Sequence, residues 1–401
     1  LGTKDNKARK IRTNVLFLGL VSFFTDISTE MVYPLIPLYL IAAFGATPAL
    51  IGVIEGIAES LSSLLKVYSG YISDKFQKKK ALAFAGYSAG LFYKIILLIA
   101  GSWSGVMLAR IVDRSGKGIR TAPRDVLISE SADQNELGKA YGLHKTLDKA
   151  GAALGILITY FLLTGGFSDY KKLFIISIIP AVLGLCMFMF IKETKVEHPS
   201  VSQPRFWKSL KGLDGQLKLY LFVVLLFTLG NSSNAFLLLK AQSVGFEDIS
   251  VVLLYFIYSI TASILSLPLG GLSDRIGRKS LLVSGYLVFS IVYFGFAFAW
   301  NQPFLVAMFV LYGVYTAMIT GVERAFIAEI APSEIKGTML GLQSTIAGIA
   351  LLPASLITGF LWVAFGSMVA FVFGAMLSLA AALILLVFMN NQASYRKSSN
   401  Y

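Results

Sequence analysis

Twelve predominantly apolar stretches follow one another along the chain, at 14–40, 48–72, 81–101, 104–130, 138–163, 171–191, 218–240, 249–273, 281–300, 303–330, 338–363 and 367–389. Each has about the 20 residues that a helix needs to cross the hydrocarbon core of a bilayer. Backbone at that depth must satisfy its own hydrogen bonds, which a helix does within one segment. The pattern predicts an all-α membrane protein with twelve transmembrane helices. Composition bears on the alternatives: 56% of the residues are hydrophobic and 14% charged, against roughly 25% charged in soluble domains. No water-soluble core could hide that apolar surface, which argues against soluble enzymes, nucleic-acid binders and secreted scaffolds. The single cysteine, Cys186, rules out a disulfide framework within the chain and any multi-cysteine metal site; in an apolar span it reads as packing.

The net charge of +13 is a topology signal. Basic residues crowd the N-terminus (Lys4, Lys7, Arg9, Lys10, Arg12), the loop after span 2 (Lys75, Lys78, Lys79, Lys80) and the central linker (Lys192, Lys195, Arg205, Lys208, Lys211). They recur after span 8 (Arg275, Arg278, Lys279) and in the tail (Arg396, Lys397), while the alternate loops 41–47, 101–103, 301–302 and 364–366 carry none. Lys171, Lys172 and Lys240 are exceptions. By the positive-inside rule both termini and the linker are expected in the cytoplasm. The basic stretch Lys4 to Arg12 runs directly into span 1 without a short apolar region and cleavage site, so span 1 is expected to serve as its own insertion signal. The expected setting is the inner membrane of a bacterium, with the lipid bilayer and not nucleic acid as the surrounding partner.

The halves repeat each other. Gly70-Tyr71-Ile72-Ser73-Asp74-Lys75 returns 200 positions later as Gly270-Gly271-Leu272-Ser273-Asp274-Arg275. Leu137-Gly138-Lys139 and Gly142-Leu143 return as Lys336-Gly337-Thr338 and Gly341-Leu342. The expected organisation is a six-helix bundle at 1–191, a cytoplasmic linker at 192–217 and a second six-helix bundle at 218–401. Two homologous halves imply a pseudo-two-fold axis along the membrane normal and a substrate site near the midplane, an arrangement typical of transporters.

The repeated loop resembles the signature of the major facilitator superfamily, Gly-x-x-x-Asp-Arg-x-Gly-Arg-Arg/Lys. The second half carries it from Gly270 through Asp274, Arg275, Gly277 and Arg278 to Lys279; in the first half Gly70, Asp74, Lys75, Lys78 and Lys79 match and Gln77 stands in place of the glycine. The resemblance spans the whole chain and implies the major facilitator fold, two pseudo-symmetric six-helix bundles, with one chain sufficient and spans 1, 4, 7 and 10 lining the cavity. Gly70, Asp74, Lys75, Gly270, Asp274, Arg275 and Arg278 are the gating candidates: an acid at such a helix end can pair with neighbouring cations and cap the next helix, latching the cytoplasmic side. A topology-fixing loop is the alternative. Three shorter matches resemble the twelve-helix drug:proton antiporter branch. They are Pro34-Leu35-Ile36-Pro37 in span 1, Arg114-Ser115-Gly116-Lys117-Gly118 in span 4, and Gly142, Gly151 and Gly155 in span 5. In that branch the arginine of the span-4 motif is associated with proton coupling. Ile156 replaces the proline of the span-5 motif and its closing Gly-Gly is absent.

Charges at membrane depth cost at least about 2.5–3.5 kcal/mol each at a helix centre and normally mark a polar cavity or an ion pathway. Span 4 carries Arg110, Asp113, Arg114, Lys117, Arg120, Arg124 and Asp125. All but Asp125 fall at the three- and four-residue spacing that builds one helical stripe, which must face the protein interior. Asp26 and Glu30 in span 1, four apart with Ser22 and Tyr33 on the same face, and Glu55 and Glu59 in span 2 are the acidic counterparts; span 5 adds His144, Lys145, Asp148 and Lys149. A rise of about 1.5 Å per residue sets Asp26 and Glu30 near the depth of Lys117 and Arg114. Two readings stay open: fixed ion pairs holding the first bundle together, or groups that bind substrate while one acid exchanges a proton. Asp26, Glu30, Glu59 and Arg114 are the candidates for proton coupling.

The second half offers Asn231, Ser232, Ser233 and Asn234 in span 7, Tyr255 and Tyr258 in span 8, and Tyr312, Tyr315, Thr316, Glu323 and Arg324 in span 10. Glu323 and Arg324 are expected to form an ion pair. The candidate cavity is therefore Asp26, Glu30, Tyr33, Arg110, Arg114, Lys117, Lys145, Asn231, Asn234 and Tyr315. Fixed positive charge facing amides, hydroxyls and aromatic rings suits a small anionic or zwitterionic, amphiphilic organic solute. Its transport is expected to be coupled to protons and directed outward, with a proton-linked importer of an organic anion or a multidrug exporter of lipophilic cations as alternatives. His144 and His198 are the only histidines, and the chain has no zinc-ligand spacing, no nucleophile–base pair and no P-loop. Neither an enzyme nor an ATP-driven pump is expected, and no cofactor.

Overall fold

The structure is a computed structural model, and it describes residues 2–76, 78–132, 137–167, 169–192, 213–331 and 336–389. Its first segments are α1 (Gly2–Glu30), α2 (Leu35–Phe44), α3 (Pro48–Phe76), α4 (Lys79–Ile99), α5 (Trp103–Glu130), α6 (Leu137–Thr164) and α7 (Tyr170–Met189). Most of the linker expected at 192–217 lies outside the described residues. After it come α8 (Gly215–Gly230), α9 (Ala235–Ser243), α10 (Asp248–Ile276), α11 (Arg278–Ala297), α12 (Gln302–Ile319), α13 (Val322–Ile330), α14 (Lys336–Phe365) and α15 (Ser367–Phe388). The fold is all-α, and the twelve spans read from hydropathy each correspond to one helix or one broken helix.

Eleven of these segments are long and apolar enough to cross a membrane. The twelfth, α5, is as long as its neighbours but carries the charged stripe of span 4, which lowers its apolarity without interrupting the helix. Its register begins at Ser102, whose hydroxyl accepts from the Gly105 amide at 3.4 Å. Asp169, Asp214 and Asn301 cap α7, α8 and α12 in the same way, each satisfying a backbone donor that the first turn leaves without a partner.

Three spans are discontinuous. Span 1 breaks over residues 31–34, span 7 over 231–234, and span 10 at Thr320 and Gly321, where Gly321 adopts φ of 91°. Pro34 lacks the amide that would carry the first break onward as α-helix. The backbone freed there is partly satisfied from α6, where the Thr159 hydroxyl donates to the Met31 carbonyl at 2.9 Å. Breaks at membrane depth are tolerated where protein or a polar cavity covers them. Those of spans 1 and 7 fall at corresponding places in the repeat, 200 positions apart, so that Met31 and Pro34 match Asn231 and Asn234.

The chain divides into two compact units. One holds residues 1–47, 57–199 and 246–256; the other holds 48–56, 200–245 and 257–401. In the first, α1 packs on α6 and α7, and α4 packs on α5 and α7. In the second, α11 packs on α12 and α15, and α8 on α14 and α15. The α1–α6 contact depends on two of the span-5 glycines. A Cβ at Gly151 would run into the Phe23 carbonyl and one at Gly155 into that of Ile27, whereas Gly142 faces open space. Gly151→Ala should therefore cost about 1–3 kcal/mol through overpacking. Gly142→Ala should be neutral or slightly stabilising, because glycine inside a helix costs roughly 0.5–1 kcal/mol relative to alanine. Thermal unfolding of the two variants in detergent checks the difference.

Candidate functional site

The charged stripe of α5 is the centre of the first unit. Arg110, Asp113, Arg114 and Arg120 are buried, while Lys117 is exposed. Arg110 Nη1 lies 3.2 Å from Asp113 Oδ2. Arg114 Nε stands 3.1 Å from Glu59 Oε1 on α3 and 3.7 Å from Asp113. That Nε makes its ion pair without the alignment of a hydrogen bond. Both guanidinium groups also flank one ring: Tyr33, in the break between α1 and α2, has Arg110 and Arg114 at 5.3 and 5.2 Å from its centroid. Such desolvated cation–π contacts contribute up to about 2 kcal/mol. The α5 helix thus supplies the cations, α3 one acid, and the break in span 1 the aromatic surface between them.

Glu30, the last residue of α1, accepts a hydrogen bond from Tyr255 Oη at 3.1 Å. Lys117 and Arg114 are its principal electrostatic partners, as counting along the helices predicted, and the Tyr33 and Tyr255 rings lie 5.6 Å apart. Asp26, one turn earlier, lies within the field of Asp148 of α6 and of Arg120 and Lys117. Lys145 does not join the arginine group: it is exposed and pairs with Asp148 at 2.8 Å. Sequence reasoning left Tyr255 and Asp148 out of the site. Both partners come from distant segments of the chain, and only tertiary contacts bring them there.

In the second unit the break in span 7 is tied to α12. Asn231 Nδ2 donates to Tyr315 Oη at 3.0 Å, and Tyr312 Oη donates to Asn234 Oδ1 at 2.8 Å. Tyr258 lies beside Tyr312, with ring centroids 5.0 Å apart. The amides expected to face substrate thus also anchor the broken helix to tyrosines. Glu55, on the opening turns of α3, belongs to this unit and accepts from Ser233 Oγ at 3.3 Å. The expected Glu323–Arg324 ion pair does not form. Arg324 is exposed, and Glu323 instead accepts from Tyr286 Oη at 3.0 Å, because adjacent residues on a helix point about 100° apart.

Of the gating candidates, Gly70, Asp74 and Lys75 lie outside the residues whose side chains are described. Gly270 and Arg275 close α10 near its C-terminus. Arg278, the first residue of α11, bridges Asp274 at 3.2 Å and Glu329 of α13 at 3.0 Å. Gly277, at φ of 92°, turns the chain between the two helices. The loop of the second half thus holds an acid–cation contact, with Glu329 as a partner that the motif does not contain.

Among the described residues no group of three or more His, Cys, Asp and Glu side chains gathers as a metal site. The site can hold an anion at its guanidinium groups, present aromatic faces to an apolar portion, and accept protons on several carboxylates.

Comparison with known proteins gives a consistent outcome. The Major Facilitator Superfamily family model matches residues 18–239 and 219–400. An uncharacterized MFS-type transporter of Methanocaldococcus jannaschii, MJ1317, is 37% identical over 392 residues, covering 96% of this chain and 97% of that protein. The multidrug resistance protein MdtG of Escherichia coli is 24% identical over 297 residues, covering 70% and 71% of the two chains. Among solved structures, the nucleoside transporter NupG superposes with a TM-score of 0.76 at 14% identity, covering 94% of this chain and 99% of that one. The likeness to NupG is one of fold.

Proposed function

Because the chain belongs to the Major Facilitator Superfamily and is a multi-pass membrane transporter, we propose that it moves a small anionic or zwitterionic, amphiphilic organic solute outward by alternating access coupled to protons. The two halves at 1–191 and 218–401 rock about the linker at 192–217, with both termini in the cytoplasm and one chain as the working unit. The observation that carries this reading is the Arg110–Tyr33–Arg114 arrangement. Two buried guanidinium groups share an aromatic face, and one of them has a buried Nε outside any hydrogen bond. A carboxylate, phosphate or sulfonate on the solute takes that donor, and its apolar part rests on the rings of Tyr33 and Tyr255. Glu59 pairs with Arg114 at 3.1 Å, Glu30 lies in the field of Lys117 and Arg114 and Asp26 in that of Arg120 and Lys117, so an acid on this stripe that gives up its proton exchanges partners with the solute. Lys117, exposed on the same stripe, adds charge at the mouth. The antiporter-like motifs of spans 1 and 4, together with the likeness to a multidrug resistance protein, support the outward direction.

That likeness also favours a second reading, in which the acids neutralise the whole stripe and lipophilic cations are the cargo. Thermal unfolding of the purified protein against organic anions, zwitterions and lipophilic cations separates the two. A ligand present at 100 times its dissociation constant adds about 2.7 kcal/mol of apparent stability. Stabilisation by anions or zwitterions and not by lipophilic cations is expected. The reverse selectivity would establish the second reading in its place.

A further inference from the structure

The α4–α5 contact changes character over one turn. At Gly86 the helices touch through their backbones: a Cβ there would come within 2.6 Å of the Gly116 carbonyl and the Arg120 Cβ, and one at Gly116 within 2.6 Å of the Ala89 Cβ. At Gly90, one turn further along α4, they do not. Gly90 is buried, yet a Cβ there would meet a single neighbour, Arg120 Nη1 at 3.8 Å. Glycine inside a helix is less favourable than alanine. Close packing explains Gly86 and gives no such reason for Gly90, whose missing side chain leaves a space the size of a methyl group inside the first unit.

Two buried cations flank that space. Arg120 is 6% exposed, its guanidinium lies 4.7 Å from the Tyr87 ring centroid, and its Nη1 is buried without a hydrogen-bond partner. Lys94 is 1% exposed; its ammonium donates to the Gly90 carbonyl at 2.8 Å and stands 4.9 Å from the Tyr93 ring centroid. An ammonium has further N–H groups to place, and these have no acceptor among the described residues. Neither cation forms an ion pair with a described acid. Asp113, the acid of this part of α5, already faces Arg110 at 3.2 Å and Arg114 at 3.7 Å. Buried charges are ordinarily paired, and buried donors ordinarily matched. The two tyrosine rings offer the cations their π faces and leave the N–H groups unmet.

We propose that a small monovalent anion of the halide class, chloride being the type, binds beside Gly90 between Lys94 and Arg120 as a resident counterion of the α4–α5 contact. The size follows from the glycine: a halide has about the radius of a methyl group, whereas carboxylates, phosphates and sulfates are larger. The charge follows from the donors. A spherical anion accepts from the guanidinium and the ammonium at once, and such charge-assisted bonds are the strong ones. A water molecule in the same space could accept one of those N–H groups but would cancel neither charge. Burial favours ions that give up their hydration readily, so bromide should bind at least as well as chloride. The site requires neither a transported solute nor a proton gradient.

Thermal unfolding of the protein, purified without halide, tests this in sodium chloride, sodium bromide and sodium gluconate at equal ionic strength. Chloride and bromide should raise the midpoint by several degrees and level off as the site fills; gluconate, too large for the space, should not. Identical midpoints in the three salts would overturn the proposal and leave water as the occupant. Gly90→Ala puts a methyl group where the ion sits. With its one neighbour at 3.8 Å the variant should fold, and its midpoint should no longer respond to chloride. An undiminished response would put the anion elsewhere and sink the assignment. Lys94→Met, which removes the charge and keeps an unbranched side chain, is the second variant and should lose the response as well; if it responds like the wild type, the ammonium is no ligand and the proposal fails. Broadening of the chloride NMR signal by the wild type, reversed by bromide, reads the site directly. It should be absent in both variants, and its persistence in both would count against the site in the same way.

Discussion

Arg114→Ala is expected to abolish gradient-driven transport and, in the same protein, to lower stability by about 1–3 kcal/mol, the cost of leaving a polar partner unsatisfied, because the orphaned Glu59 is only half-buried. The geometry gives both effects one origin. Arg114 lies against Glu59 and Asp113 and against the Tyr33 ring, so its removal leaves the Glu59 carboxylate short of its nearest cation. Asp113 keeps Arg110 at 3.2 Å, which limits the damage to one acid. Arg114→Ala combined with Glu59→Gln should accordingly recover most of the lost stability, since the orphaned charge is gone. It should recover none of the transport, since the guanidinium that takes the solute's anion is still missing. Chemical denaturation in detergent micelles, paired with flux in proteoliposomes, reads the two quantities separately. Full recovery of transport in the double variant would show that Arg114 serves only to neutralise Glu59.

The architecture was legible in the sequence because a bilayer imposes a length on every span and a sign on every loop. Even the least apolar span, α5, was found, because its charges recur at helical spacing and a stripe can be hidden inside a bundle. Which charges pair was much less legible. Spacing put Arg114 near Glu30, yet its closest carboxylate is Glu59. The Glu323–Arg324 pair read from adjacency yields to a hydrogen bond from Tyr286. Partners such as Tyr255 on Glu30 and Asp148 on Asp26 lie far away along the chain and are set by how helices pack, a level at which hydropathy is silent. The breaks in spans 1, 7 and 10 were equally hidden, although Pro34 and Gly321 stand in two of them. The span-5 glycines were read as a motif, whereas for Gly151 and Gly155 the structure gives a packing reason: they let α6 meet the α1 backbone closely.

Asp26→Asn is expected to uncouple transport from the proton gradient while the solute still crosses down its own gradient. Each proton exchanged for one solute stores about 1.4 kcal/mol per pH unit, which is tenfold in concentration. Across two pH units and no membrane potential, wild-type proteoliposomes are therefore limited to roughly 100-fold accumulation on the acidic side. With Asn at 26 the carboxyl proposed to exchange the proton is gone, and the ratio should fall to one, while exchange of labelled for unlabelled solute continues. Glu30→Gln should behave differently. Glu30 is held by Tyr255 at 3.1 Å and reached by Lys117 and Arg114, so its loss should weaken solute binding and leave the accumulation ratio near the wild-type limit. If Glu30→Gln collapses the ratio and Asp26→Asn keeps it, the coupling proton belongs to the end of α1 and not to the α1–α6 contact. The comparison uses the ratio and not the rate because only the ratio is fixed by thermodynamics: a slow but coupled transporter still reaches roughly 100-fold, and a fast uncoupled one never does.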